Sequence, residues 1–560
     1  MTINKKYFLI LLILITLISC SLNESETEGY LSGQKEIFYL NSDQSSSLTA
    51  ILAKSTTIDL PTSKLNKSES EINHTLSETF GIYEIDDNST DVNYSIDLGS
   101  ENKNVYFIYT NKDTISTLPT STSNAKQTFK QESLTNIKTL SNNFQAKHFE
   151  SNFTRPKLTK STKMFKNNNE LVDNNQFKLN IWVDENAYGA ECNDGKCITE
   201  EIIEFFSNVF LKDGNNNDIY DYVTNIYGEE WGTHSYIDLI EDTNTIDILL
   251  FDIDNDGTPS QTGGVLGYYF SKDNFTRDAV SGSNEKIMFY IDSYLLANSS
   301  NSDGVDDGVW EESDFFPQVM VSTLAHEFQH MIHFYQKNVA RGITTRTDTW
   351  INEMMSEMTE DLVAFNINNP GPRNILGDGS AGNSDNIDGR IPVFNKFSQD
   401  SLTVWGNSYI DYSTVYSFGS FLLRNYGGAS LLHTMMQNNL TDEQIVTASL
   451  GNSKTLEQLI QDWQTSVVLS KHTNAPSGYI YNTGDWINST YNGVTYKLGS
   501  INFFNYNPTL NLNQTHTTQI HSSTIVQVAN DKNGTFETNI TKDANTMIKV
   551  VVEPVIEDNI

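Results

Sequence analysis

From Val319 to Gln336 apolar residues recur at helical spacing, as Leu324, Phe328, Met331, Ile332 and Tyr335, with Pro317 just ahead of them. That period predicts a helix with a buried stripe. Set into it are His326, Glu327 and His330. Residues four apart on a helix lie one above the other on the same face, so both imidazoles can reach one zinc ion at about 2.0–2.1 Å. Glu327 stands about 100° further round the helix, beside such a metal rather than on it, where a general base belongs. The chain has 10 histidines in 560 residues, so abundance does not account for the pattern. The alternative is a buried helix whose histidines are merely hydrogen-bonded in the core. His333, seven residues after His326, is expected to pack or to support the site.

A catalytic zinc needs a third protein ligand and one open position. Downstream, Thr349-Trp350-Ile351-Asn352-Glu353-Met354-Met355-Ser356-Glu357 also reads as helical, with Trp350, Met354, Met358 and Leu362 on a buried side. Trp-Ile-Asn-Glu resembles the second-helix motif of gluzincin metallopeptidases, and it ends 353 − 330 = 23 residues after His330. The resemblance implies Glu353 as third ligand and Glu357, one turn later, as the acid that accepts a hydrogen bond from a zinc-binding histidine. The reverse assignment, with Glu357 on the metal, stays open.

Further segments resemble the hyicolysin family of bacterial metallopeptidases: Ile248 to Gly257, Gly263 to Tyr269, Ser283-Asn284-Glu285-Lys286, Phe289 to Asp292, and Ala325 to His330. The likeness covers roughly residues 177 to 470. It implies an α+β fold with a zincin-type catalytic domain, and a zinc endopeptidase acting on protein or peptide substrates. Aminopeptidases share Trp-Ile-Asn-Glu, but no Gly-x-Met-Glu-Asn type motif precedes the zinc helix here. Related enzymes use Tyr or His to donate to the developing oxyanion. By that likeness Tyr412 and Tyr416, in Asp411 to Gly419, are candidates, although among 26 tyrosines a packing role is the commoner one. Asp252, Asp254 and Asp256 with Gly257 resemble the start of a calcium loop, although the closing Glu of an EF-hand is missing and a solvated turn accounts for them as well. Asp213 to Asp218 invites the same two readings and is expected to be a plain turn.

The chain's start carries an address. Lys5 and Lys6 precede an almost unbroken apolar run from Phe8 to Ile18, the form of an export signal. Leu17-Ile18-Ser19-Cys20 resembles the bacterial lipobox, which implies cleavage before Cys20 and acylation of that cysteine; several acyl chains make a stable anchor. An ordinary cleaved signal is the alternative. No later stretch offers the roughly 18 consecutive apolar residues of a membrane-spanning helix. The expected location is the bacterial cell envelope. Cys192 and Cys197 flank Asn193-Asp194-Gly195-Lys196, a turn that can close a disulfide under oxidising conditions. A metal site there lacks further His or Cys ligands. Asp and Glu number 71 against 36 Lys and Arg, a formal net charge of -35, which argues against nucleic acid as a partner.

Composition and periodicity divide the chain into a signal peptide (1–19), a tether (20–34), a small β domain (35–110), a polar linker or pro-segment (111–175), the catalytic domain (176–476) and a β-sandwich-like domain (477–560). Within 111–170 ten basic residues face four acidic ones, the reverse of the rest. A surface adhesin using a peptidase fold as scaffold is the rival from another functional class. A zinc-free but folded protein would favour it.

Overall fold

The structure, a computed structural model, describes residues 37–38, 69–85, 91–113, 162–172, 175–189, 192, 196–253, 264–300, 308–379, 389–514, 517 and 519–556. The signal, the tether and Cys20 lie outside them. Among the described residues no helix is long and apolar enough to cross a membrane.

After a two-residue strand at Ile37–Phe38 come β1 (Glu69–Thr75), β2 (Gly81–Ile85), β3 (Asp91–Asp97) and β4 (Lys103–Asn111). Next are β5 (Thr162–Val172), β6 (Asn175–Asp184), helices α1 (Glu200–Phe210) and α2 (Ile219–Tyr227), and strands β7 (Thr245–Phe251), β8 (Gly267–Tyr269) and β9 (Ile287–Asp292). A helical stretch follows, comprising α3 (Phe315–His333), α4 (Thr349–Val363), α5 (Arg390–Phe397), α6 (Tyr409–Asn425) and α7 (Leu456–Leu469). Strands β10 (Ser523–Lys532), β11 (Thr535–Thr541) and β12 (Thr546–Pro554) close the chain. Helices and sheets are both substantial, and the fold is α+β.

Two compact units result, one built chiefly from 131–299 and 306–346, the other from 37–130 and 347–560. The region expected as one catalytic domain (176–476) is therefore divided, between α3 and α4. The cause is packing: α4 and α5 pack on α6, and α7 lies on β4, β10 and β12, which ties the later helices to the terminal strands.

In the first unit the sheet order is β8-β9-β7-β6-β5. Strands β9, β7 and β6 run parallel, with antiparallel neighbours at either edge. The central strands read Thr-Ile-Asp-Ile-Leu-Leu-Phe and Ile-Met-Phe-Tyr-Ile-Asp and are almost wholly buried, as continuous apolar runs in parallel strands should be. Helix α3 packs on β8 and β9 and is flanked by α1 and α2. Thr199 caps α1, its hydroxyl accepting from the Ile202 amide at 3.3 Å. The expected linker (111–175) contains β5, which its Asn and Lys content conceals. It is a strand because β6 supplies a partner along its whole length.

In the second unit the β domains expected at 35–110 and 477–560 are not separate. Strand β4 lies between β10 and β12, in the order β10-β4-β12-β2, and β3 lies between β11 and β1. The two sheets enclose one core of Ile85, Val92, Tyr94, Ile96, Leu98, Val105, Phe107, Ile540, Ile548, Val550 and Val552. Alternation marks a strand but carries no information about its partner. The other face of β4 meets α7, which is why Tyr106 and Ile108 are buried too.

Candidate active site

Helix α3 is buried on nearly every side. Phe328, between the two histidines, stacks on Tyr220 at 5.5 Å and meets Phe210 edge-on at 5.1 Å. These contacts from α1 and α2 fix its rotation. His326, Glu327 and His330 are each 0% exposed. Their ligand atoms lie within 4.8 Å of one another, and the imidazole centroids are 4.8 Å apart at 75°. Two imidazoles with a carboxylate beside them form a donor set suited to zinc, so the residues fit the metal that the motif implies. His333 faces Gln329 at 3.4 Å, a packed and supporting place. Beyond it the helix loosens into a π-helical turn, Phe334–Ala340, a form that often marks functional helices. That turn is held by Gln336 donating to the Glu229 carbonyl at 2.7 Å and by Trp231 packed on Tyr335 at 5.4 Å.

In the second unit, α4 carries Glu353 and Glu357, both fully buried. Close packing against α6 sets its position. A Cβ at Gly419 would stand 2.6 Å from Met358 Cγ, so only glycine lets the helices approach this closely. Glu357 is paired with Arg390 at 2.7 Å, and Asp361, one turn later, with Arg424 at 2.8 Å. Tyr412 is fully buried, with the Arg390 guanidinium 5.2 Å from its ring centroid. Tyr416 is also fully buried. Burial, reinforced by Asp361, pushes its phenol well above the ordinary range. Its hydroxyl has no hydrogen-bond partner among the described residues.

Sequence reasoning did not find Arg390, Arg424 or Asp361. The row Glu353, Glu357, Asp361 at four-residue intervals was the available signal for Asp361, since buried acids on one stripe demand cations. Nothing local announces Arg390, which opens a helix after a polar stretch.

Cys192 and Cys197 form the expected disulfide, with Cα atoms 5.6 Å apart. Asp252 lies just past β7, while Asp254 and Asp256 lie outside the described residues. The segment Asp213 to Asp218 is a hydrogen-bonded turn. Asp218 caps α2 by accepting from the Asp221 amide at 2.9 Å and also accepts from the Lys212 amide at 2.8 Å. Burial, helped by Asp221, pushes the Asp218 carboxyl up to about 7. Glu230, buried and hydrogen-bonded by the Tyr220 hydroxyl at 3.1 Å, is likewise pushed up to about 7 by burial.

The profile of the family described as Peptidase M30 matches residues 159–553. A neutral metalloprotease, ShpI of Staphylococcus hyicus, is 31% identical over 136 residues, 24% of this chain and 26% of that protein's length. Among solved structures, an M1 zinc metallopeptidase from Deinococcus radiodurans overlaps at a TM-score of 0.28 and 10% identity, covering 54% of this chain and 50% of its own. A two-domain variant of an M1 zinc metallopeptidase bound to L-arginine gives 0.28 at 11% identity, with 54% and 51% covered. Both structural likenesses are slight.

Proposed function

The chain belongs to the peptidase M30 family, and on that premise we propose that it is a zinc-dependent endopeptidase exported to the bacterial cell envelope. The observation that carries this reading is the buried cluster of His326, Glu327 and His330 on one helix. His326 and His330 hold the metal, and Glu353, by its Trp-Ile-Asn-Glu motif, is the third ligand, with Glu357 supporting a histidine or, in the swapped assignment, taking that place.

Zinc, when bound, supplies a Lewis acid that polarises the scissile carbonyl and lowers the pKa of a water toward neutrality. Glu327 does the proton work. Its carboxylate accepts the proton of the attacking water and later returns it to the leaving amine, so one residue serves as base and then as acid. Tyr412 and Tyr416 are the proposed oxyanion donors. Tyr416 is favoured, because its hydroxyl makes no hydrogen bond among the described residues, whereas Tyr412 serves as the platform beneath Arg390.

Cys20 carries the lipid that anchors the protein to the membrane, and the partner in the site is a protein or peptide. The net charge of -35 keeps nucleic acid out of this account. A calcium ion at Asp252, Asp254 and Asp256 is a further proposal, resting on the resemblance to a calcium loop. The test is metal content of the purified full chain together with casein cleavage with and without a zinc chelator. About one zinc per chain and chelator-sensitive cleavage is the expected result. A folded chain without zinc or cleavage would favour the surface-adhesin reading. Cleavage of N-terminally blocked peptides separates endopeptidase from aminopeptidase.

A further inference from the structure

Helix α4 carries three acids at four-residue intervals, Glu353, Glu357 and Asp361, none more than 3% exposed. Like charges at this spacing repel one another, and a buried carboxylate persists only when paired or bound to a metal. Asp361 is held by Arg424, which is itself anchored on the Gly499 carbonyl at 2.7 Å. Glu357 is held by Arg390. The motif assigns Glu353, the first of the row, to the metal.

Arg390 is fixed from two sides. Its guanidinium, on the first residue of α5, meets Glu357 of α4 at 2.7 Å and lies over the Tyr412 ring of α6 at 5.2 Å. Trp405 braces that ring edge-on at 5.1 Å. Both side chains of the ion pair are at most 5% exposed, and a cation over a ring is strongest when desolvated like this. A buried ion pair is often no more stabilising than apolar residues of the same volume, so stability alone does not account for it. What the arrangement does provide is direction: Glu357 is held in one orientation, one turn from the proposed zinc ligand.

We propose that Arg390 is a positioning residue of the metal site, acting through Glu357 to tighten the hold on zinc. The inference rests on the zinc reading above, and on Glu357 belonging to that site by its motif.

The test measures zinc affinity of the full chain by competition with a chromophoric chelator, which needs no turnover. Arg390→Gln is expected to weaken zinc binding about 10- to 100-fold, the scale for groups that orient a ligand from behind, and Arg390→Lys to weaken it less. The double variant Glu357→Gln/Arg390→Gln should bind zinc no more weakly than Glu357→Gln alone, because the arginine acts through that carboxylate. Near-UV circular dichroism checks that each variant is folded. Zinc affinity in Arg390→Gln within about twofold of wild type, or fully additive losses in the double variant, overturns the proposal. If Arg390→Gln does not fold, Arg390→Lys and the double variant decide in the same way. Wild-type chain that binds no zinc overturns the zinc reading itself, a result distinct from zinc binding that is indifferent to Arg390.

Discussion

The zinc helix α3 and the β-sandwich of the second unit are both deeply buried, yet they differ in how their contacts are spaced along the chain. In α3 the chemistry is local: two histidines and a glutamate fall within five residues, and helical geometry brings them together. In the sandwich the pairings that join its two ends are long-range. Thr110 and Ser523, 413 residues apart, meet hydroxyl to hydroxyl at 2.9 Å, and β4 is enclosed by strands from the far end of the chain. A site built within one helix can be read from sequence. A sheet assembled from both ends can be recognised strand by strand but not joined.

The largest test of that contrast is a fragment beginning at residue 176. It lacks β1 to β5, and with the segment from β1 to β4 seven of the eleven buried residues of the sandwich core. The fragment is expected to lose protection of the β10 and β12 amides in hydrogen exchange. Protected amides there would show that the two ends are not interdependent.

Next in size is Arg424→Met, which leaves Asp361 buried beside an apolar side chain. Removing one partner of a buried pair costs about 3–5 kcal/mol, measurable by urea unfolding of the full chain. A loss below about 1 kcal/mol would mean that the pair is relaxed by water or by another cation.

Glu230 gives a pH-dependent test within the first unit. Its carboxyl titrates at 4.5 when unperturbed and is pushed up to about 7 in the fold by burial, so the folded state binds the extra proton between those values. Stability should therefore fall as pH rises from about 4.5 through about 7, by at most about 3 kcal/mol. Glu230→Gln, which keeps a hydrogen-bond acceptor for Tyr220 without the charge, is expected to flatten that slope and to be the more stable form at pH 8. An unchanged slope would locate the titration elsewhere, with Asp218 and Asp400, both also pushed up to about 7 mainly by burial, the next groups to replace.

The smallest effect is the most local. Thr199→Ala removes the N-cap of α1 and should cost about 1 kcal/mol, read by thermal unfolding. A cost several times larger would mean that Thr199 has a role beyond capping.

Helices α3 and α4 were legible because apolar spacing and length agreed. What was hidden has physical causes. Strand β5 carries the composition of a loop and is a strand only through β6. The boundary between units follows packing of α7 on the terminal strands, which no local pattern records. At the candidate site, the spacing of His326, Glu327 and His330 was readable on one helix, and Glu353 and Glu357 are proposed from their motif. Arg390 did not, because its partners Glu357 and Tyr412 lie on two other helices and only the tertiary fold brings all three together.

The most direct measurement is zinc content and casein cleavage of the full-length Glu327→Gln variant beside wild type. About one zinc per chain is expected in both proteins, with a fall in cleavage of about 10²- to 10⁴-fold in the variant. Full activity in the variant, or wild-type protein without zinc, would contradict the zinc-peptidase reading.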